Sequence, residues 1–311
     1  MKLKTLAAAA AVAVASMPFA AQAEVRLSGD IGVAYQDITN TTTPTLVKKK
    51  FGSKSSNISF DASEKVGDIT YYGHADADFE SGSGFVGDDI YVGMKGGFGE
   101  LVMGDTDNGC DSTDVGGTNE VWLTHTQGSC AGADMHNITY KRSLGKFGVA
   151  VSVKPTDDSV IPTPVDLLTG AAAKTGHNPR NWSLGAKGAF GPVEASLGYT
   201  AMSRVANVNV NNGATAANKG HATVLGLAGN AGPFKLGFRG SKAKGGKAVH
   251  GINFLYSKNG HNFYGGTQTS SGTKDKSLGY KRVIGNTDFI VELEDTGASN
   301  TDYILGVRHR F

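Results

Sequence analysis

The feature of this sequence that most restricts its fold is an apolar–polar alternation with a period of two residues. In the first such stretch the apolar members are Val25, Leu27, Ile31, Val33 and Tyr35. The alternation recurs at 69–79 and again at 303–311. A period of two puts successive side chains on opposite faces of a β-strand, and no segment carries a sustained 3.6-residue apolar stripe with helix caps. The pattern therefore predicts an all-β protein.

Counting the alternating runs predicts sixteen strands, most of them eight to twelve residues long. The predicted strands are 25–36, 54–66, 69–80, 88–96, 99–105, 136–143, 147–154, 180–188, 193–201, 221–229, 233–241, 247–257, 261–270, 274–283, 287–295 and 303–311. Strands of this length suit a tilted crossing of a bilayer. The even-to-odd connections are tight and rich in Gly, Asn or Pro, whereas four of the odd-to-even connections are long, namely 37–53, 106–135, 155–179 and 202–220. This asymmetry is typical of an antiparallel transmembrane β-barrel with short periplasmic turns and long external loops.

Composition supports the barrel over its alternatives. The chain has 44 glycines among 311 residues and a hydrophobic fraction of 39%, which argues against a large dry core. A formal net charge of +2 is too small to indicate a nucleic-acid partner. A soluble exported β-sandwich also alternates, but its core strands would favour large apolar residues where this chain has many Gly and Ala. Sixteen strands enclose a lumen too wide for side chains to fill, so the barrel is expected to hold a water-filled channel.

The first 23 residues are predicted to be a secretory signal peptide. Lys2 and Lys4 precede an apolar run at 6–15, and the segment ends in Ala21-Gln22-Ala23. A basic start, an apolar stretch of this length and a small-x-small ending are the marks of such a leader. A short N-terminal membrane anchor is the alternative. The expected barrel domain is 24–311.

These features together resemble a Gram-negative general diffusion porin, in particular the sixteen-stranded type of photosynthetic and related proteobacteria. The resemblance rests on the leader, the first strand Glu24-Val25-Arg26-Leu27-Ser28-Gly29, the segment 97–105 before a long third loop, and the alternating last strand ending in Phe311. It implies a homotrimer in the bacterial outer membrane, in contact with outer-membrane lipid and lipopolysaccharide. It also implies passive diffusion of ions and small hydrophilic solutes, with the third loop folded into the lumen. Phe311 resembles the C-terminal signal that the barrel-assembly machinery reads in that family, although a chance Phe is the alternative.

The stretch 105–135 lies in the position of that third loop and is strongly acidic. It contains no Lys or Arg, and its acids are Asp105, Asp107, Asp111, Asp114, Glu120 and Asp134. In the family such acids narrow the pore opposite basic groups on the wall, and a confined charge biases which ions enter. An ordinary solvated surface loop is the alternative. Mild cation preference is the expected consequence.

Strand parity supplies the candidates for the opposite wall. The residues predicted to line the pore are Arg26, His74, Asp76, Lys95, Lys141, Arg308 and Arg310, and the same parity includes Lys235 and Arg239. Several of the basic residues lie near predicted strand ends, where they could instead ring the periplasmic mouth. Solvated wall charge without selectivity is the alternative for each of them.

Two further predictions concern the third loop. Cys110 and Cys130 are the two cysteines of the chain, and in an oxidising exported setting such a pair indicates a disulfide, with two free thiols as the alternative. Asp105-Thr106-Asp107-Asn108-Gly109 has the alternating carboxylates that Ca²⁺ sites use, but it lacks the rest of an EF-hand loop. Asp105 and Asp107 are therefore a candidate Ca²⁺ site, and no other cofactor is expected.

Catalysis has little support in the sequence. It contains no His-x-x-x-His or Cys-x-x-Cys spacing, no Gly-x-Ser-x-Gly elbow and no phosphate-binding P-loop. The main alternative to a diffusion channel is a plugged structural or adhesive barrel that acts through its external loops.

Overall fold

The chain folds into one antiparallel sheet that closes on itself. The computed structural model describes residues 23–39, 47–80, 84–116, 130, 135–154, 181–202, 220–270, 273–295 and 301–311. The strands are β1 (Glu24–Thr39), β2 (Val47–Ser53), β3 (Asn57–Val66), β4 (Ile69–Glu80), β5 (Gly84–Gly96), β6 (Gly99–Thr106), β7 (Met135–Leu144), β8 (Phe147–Lys154), β9 (Asn181–Phe190), β10 (Val193–Met202), β11 (Gly220–Ala231), β12 (Phe234–Ala243), β13 (Val249–Lys258), β14 (His261–Ser270), β15 (Thr273–Ile284), β16 (Thr287–Asp295) and β17 (Thr301–Arg310). β1 closes the sheet by pairing with β17, from Asp30 opposite Arg310 to Asp37 opposite Tyr303. A sheet closed in this way leaves no unpaired edge, which is the condition for a sheet to span a bilayer.

β2 and β3 share one position in the barrel, so these strand segments form a sixteen-stranded wall, as predicted. β1 pairs with β2 through 33–39 and with β3 through 24–30. Between the two segments the chain bends towards Gly32, whose carbonyl accepts from the Lys54 N–H at 2.9 Å and whose N–H donates to Ser56 Oγ at 3.0 Å. The sequence predicted a connection over 37–53, and this prediction is wrong for Val47–Ser53, which form β2. Three consecutive lysines at 48–50 remove the apolar alternation there, which is why the period did not reveal this strand.

The two faces of the wall differ in chemistry. Along β16 the exposed Phe289, Val291 and Leu293 alternate with the buried Asp288 and Glu292. The same inversion recurs around the barrel, where large apolar side chains are exposed on the outside and small or polar ones face inward. In water such an exterior would be unfavourable, because apolar surface is stabilised only when it is removed from water. The exterior therefore suits lipid.

Tight turns join the strands at one end of the barrel. β3 and β4 pair up to Val66 opposite Ile69, leaving a two-residue turn at Gly67-Asp68. Gly67 has φ +60° there, a left-handed conformation that glycine adopts without a steric penalty. The predicted tight links near 97, 191, 232, 259 and 285 are likewise two-residue turns. The longer connections, including those from β6 to β7, β8 to β9 and β10 to β11, lie at the other end, which is called the external end below.

Aromatic pairs lie on the outside near both ends of the strands. Near the turns the ring centroids of Phe234 and Tyr256 are 4.8 Å apart, and those of Phe263 and Tyr280 are also 4.8 Å apart. Towards the external end, Trp182, Tyr199 and His221 form a row with centroid distances of 5.3 and 5.8 Å. Two such belts mark the two interfaces of a membrane barrel. Within the described ranges no helix is long and apolar enough to cross a membrane.

Candidate functional site: the inner wall and the third loop

The described part of the third loop lies across the inner wall. It leaves β6 after Thr106, whose carbonyl accepts from Asn137 Nδ2 at 2.8 Å. Further along, inward-facing serines and an asparagine hold the loop backbone. The bonds are Gly109 N–H to Ser152 Oγ at 3.0 Å, Cys110 N–H to Ser183 Oγ at 3.2 Å, Val115 N–H to Ser196 Oγ at 3.1 Å and Asn253 Nδ2 to the Gly116 carbonyl at 2.5 Å. Residues 109–116 therefore run along the inside of the barrel from β8 to β13.

A row of glycines on the wall makes room for this path. A Cβ on Gly185 would lie 2.0 Å from Thr113 Oγ1, and one on Gly198 would lie 2.2 Å from Cys110 Sγ. On Gly226 and Gly237 it would lie 2.0 Å from the Val115 carbonyl oxygen and 2.2 Å from that of Gly116. No carbon atom approaches these atoms so closely, so the loop could not lie here against any other residue. We call these four glycines the glycine seat.

The predicted disulfide is present. Cys110 and Cys130 are bonded, with their Cα atoms 6.0 Å apart and their buried side chains packed against Val224 on β11. The Cys130 N–H also donates to Asp111 Oδ1 at 3.3 Å. The bond therefore brings the returning part of the loop back to the wall at the glycine seat.

Arg239 on β12 pairs with two of the loop acids. Its guanidinium lies 3.6 Å from Asp111 Oδ1 and forms an ion pair with Asp114 Oδ2. The side chains of Asp111 and Asp114 are 13% and 10% exposed, and that of Arg239 is 18% exposed. Charges so far removed from water need a partner of opposite sign. Parity placed Arg239 on the polar face correctly, but its pairing with the loop depends on a fold that sequence spacing does not reveal.

The remaining loop acids have different positions. Asp107 is exposed, and its carbonyl accepts from Thr139 Oγ1 at 3.2 Å. Asp105 belongs to β6 and pairs in register with Ile90, whose side chain faces outward. The prediction that Asp105 is part of the constriction loop is therefore wrong. Glu120 and Asp134 lie outside the described residues. Among the residues described here, no cluster of three or more His, Cys, Asp or Glu side chains is arranged to hold a metal ion, and the segment at Asp105 and Asp107 forms none.

His74 and Asp76 lie on the inner wall away from the glycine seat. His74 Nδ1 is 2.8 Å from Asp61 Oδ1, its Nε2 is 3.9 Å from Asp76 Oδ2, and its ring stacks on Tyr91 at 5.0 Å. Asp76 Oδ1 accepts from the Asp89 N–H at 2.7 Å, beside a register shift between β4 and β5. In register, Arg26 pairs with Asp61 and so belongs to the same inward row.

Lys95 and Lys141 lie on either side of Glu100 in one register row, nearer the tight turns. Glu100 accepts from the Tyr72 hydroxyl, and Lys95 Nζ lies 5.5 Å from the centre of the Tyr72 ring. Lys141 lines a cavity of 420 Å³ under the loop, together with Lys187 and the loop residues Ser112 and Thr113. Basic side chains therefore lie on the turn side of the loop.

The last strand is held at the seam of the barrel. Arg308 and Arg310 both bind the buried Asp288 carboxylate, with Arg308 Nη2 at 2.8 Å, and Arg310 Nε lies 3.7 Å from Asp30 Oδ1. Both arginines therefore share the inward parity predicted for them, and Asp288 on the neighbouring strand β16 binds both. The backbone of Phe311 exchanges hydrogen bonds with Gly29 on β1 at 3.1 and 3.3 Å.

Comparison with known proteins agrees with this architecture. The family model of Gram-negative porins matches residues 7–311 of this chain. Among solved structures, a mutant of the Rh. blastica porin is similar at 12% identity and a TM-score of 0.68, covering 93% of this chain and 100% of that one. In-vitro folded OmpT, an outer membrane protein of Vibrio cholerae in its trimer form, is similar at 14% identity and a TM-score of 0.68, covering 93% of this chain and 99% of that one. No curated protein shows significant similarity to this chain.

Proposed function

Because this chain belongs to the Gram-negative porin family, we infer that it forms an outer-membrane channel for passive diffusion of ions and small hydrophilic solutes. The observation that carries this function is the closed sixteen-stranded wall with an apolar outside and a polar inside. A lumen of this width holds water, and solutes cross it without a covalent step or an energy source.

The third loop, which leaves β6 after Thr106, is the constriction of this channel in our proposal. Support comes from the path of residues 109–116 along the inner wall, from the glycine seat and from the disulfide between Cys110 and Cys130. A loop held at both its outgoing and its returning part keeps a constant aperture. A flexible loop would open and close the pore with its own motion.

We propose mild cation preference for the constriction. After β6 the loop carries five acids and no Lys or Arg, namely Asp107, Asp111, Asp114, Glu120 and Asp134. Arg239 compensates part of the charge of Asp111 and Asp114. The net charge of the loop together with Arg239 stays negative. A narrow lumen with low-dielectric walls strengthens the effect of this charge on ions. Reversal potentials across a KCl gradient test this proposal, and anion preference would contradict it.

The assembled form is proposed to be a homotrimer in contact with outer-membrane lipid and lipopolysaccharide. The trimer form of the structurally similar OmpT of Vibrio cholerae supports a trimer. Residues 1–23 are proposed to be a signal peptide that is removed on export, and Phe311 to be the signal for barrel assembly. Its backbone pairing with Gly29 suits that role, because it places the last residue at the seam that closes the barrel.

Liposome swelling tests the diffusion function. Proteoliposomes in isotonic solutions of sugars of increasing size should swell quickly with the small sugars and progressively more slowly with the larger ones. The control is the same liposome without protein. A plugged barrel, which is the alternative function, would give the swelling rate of the control with every sugar.

A further inference from the structure

A cavity of 420 Å³ lies against the inner wall, on the turn side of the third loop. β7, β8 and β9 supply most of its wall, and the loop residues Ser112 and Thr113 cover it from the external side. The loop is held in this place by the disulfide at Cys110 and by the glycine seat. The cavity therefore has a fixed roof, and a ligand that enters it does not need to order the loop first.

Two lysines line this cavity from the wall. Lys141 on β7 and Lys187 on β9 both face inward, because they lie in register with the inward-facing Ala150 and Gly148 of the strand between them. The stem of Lys187 lies over Gly148, where an added Cβ would be 3.4 Å from its Cγ and its Cε. Lys187 therefore extends from β9 towards β7, and two positive charges belong to one cavity.

Neither lysine has an ion-pair partner in the part of the chain that the structure describes. The ion pairs found there include neither Lys141 nor Lys187. The acid in the lining is Glu100, which is next to Lys141 in register but accepts from the hydroxyl of Tyr72 on β4. The ring of Tyr72 reaches it across Gly93 of β5, on the side away from β7. The two lysines therefore favour an anion in the cavity.

Other groups of the lining can accept hydrogen bonds. Ser112 Oγ donates to the Gly109 carbonyl at 3.3 Å, so its lone pairs are left for a donor from a ligand. Ser143 adds an exposed hydroxyl from β7, and Glu100 adds its carboxylate. A ligand that fills the cavity therefore needs an anionic end and a second part that carries hydroxyl groups.

Sugar phosphates combine these two parts. A water molecule takes about 30 Å³ of the liquid, so the cavity has far more room than one inorganic phosphate needs. A phosphate monoester carries a charge of about −1.5 to −2 at pH 7, which matches two lysines, and the sugar supplies the hydroxyl donors.

We propose that this cavity is a binding site for sugar phosphates. The phosphate binds Lys141 and Lys187. The sugar hydroxyls bind Ser112, Ser143 and Glu100. The site rests on the proposed diffusion function, since its ligand arrives through the lumen.

Two variants separate the charge of the site from its space. Lys141→Gln combined with Lys187→Gln removes both ammonium groups and leaves the volume nearly unchanged. Gly148→Leu fills part of the cavity and displaces the Lys187 stem, while both charges remain. The matched control is Lys65→Gln, because Lys65 is an exposed inward-facing lysine near the turn end of β3 and does not line the cavity. Heat-modifiable gel migration checks that each purified full-length variant is folded.

The measurement is the affinity of glucose 6-phosphate for the detergent-solubilised barrel, obtained by isothermal titration calorimetry. Loss of both lysines should weaken binding about a hundredfold, because each charge-assisted hydrogen bond is worth roughly a factor of ten. Gly148→Leu should weaken it about tenfold, because its side chain occupies space that the ligand needs. Lys65→Gln should leave the affinity unchanged. Glucose and inorganic phosphate should each bind about tenfold more weakly than glucose 6-phosphate or less, because each makes only part of the contacts.

Several results would overturn the site. Parent affinity in both cavity variants would do so directly. Equal affinity for inorganic phosphate would assign the lysines to simple anions, and equal affinity for glucose would remove the role of charge. Ionic current through the parent in a planar bilayer without measurable binding would overturn this site alone, whereas binding without current would overturn the proposed diffusion function.

Discussion

Replacing Arg239 by methionine should make the channel more cation-selective. The substitution keeps much of the side-chain volume but removes the positive charge that faces Asp111 and Asp114. The pore then carries one more negative charge at the constriction. At about 10 Å in water a unit charge acts on an ion with roughly 0.4 kcal/mol, which raises cation entry about twofold and lowers anion entry by the same factor.

The expected result is about a fourfold rise in the ratio of K⁺ to Cl⁻ permeability. Reversal potentials in planar bilayers measure this ratio, and the experiment belongs at about 10 mM salt, where the Debye length is roughly 30 Å. The shift should shrink at 1 M salt. Arg239→Lys, which keeps the charge, is the control, and Asp114→Asn should shift the ratio in the opposite direction. A permeability ratio that stays the same in Arg239→Met, with conductance unchanged, would refute the placement of Arg239 at the constriction.

Three other predictions concern the loop and the seam. Gly226→Val should displace the loop and change the single-channel conductance. Gly229→Val is the control and should leave the conductance unchanged, because a Cβ on Gly229 meets nothing within 4 Å. Equal conductance in the two variants would contradict the glycine seat. Replacing both Cys110 and Cys130 by serine removes the disulfide, which constrains the unfolded loop by about 3 kcal/mol. The freed loop should raise the noise of the open-channel current. Noise equal to that of the parent would contradict the role of the disulfide. Asp288→Asn removes the negative charge that binds Arg308 and Arg310, and breaking a buried ion pair costs about 3–5 kcal/mol. The variant should therefore unfold at a lower temperature on gels. An unchanged unfolding temperature would contradict this role of Asp288.

Local patterns in the sequence are enough to predict the wall. Alternation identifies a strand because the two faces meet lipid and water, and every tight turn repeats the same Gly or Asn chemistry. The disulfide was also predictable, since an exported chain with two cysteines in one loop has few alternatives. β2 was not, because its lysines at 48–50 give no apolar face to detect.

Contacts between distant parts of the chain were beyond sequence reasoning. The ion pair of Arg239 with Asp114 joins strand β12 to a loop that starts after β6, and no local spacing encodes that approach. The same holds for Asp288, because nothing in the sequence pattern indicates that its carboxylate binds both Arg308 and Arg310 of the neighbouring strand. A partial signal did exist for the glycine seat, because Gly198 and Gly226 stand at inward positions where other strands carry larger residues.

Single-channel current in a planar bilayer tests the central claim most directly. A closed wall around a water-filled lumen predicts a steady ohmic conductance that scales with the salt concentration of the bath. Insertion without such current, by protein that is folded on heat-modifiable gels, would show a filled lumen and contradict this account.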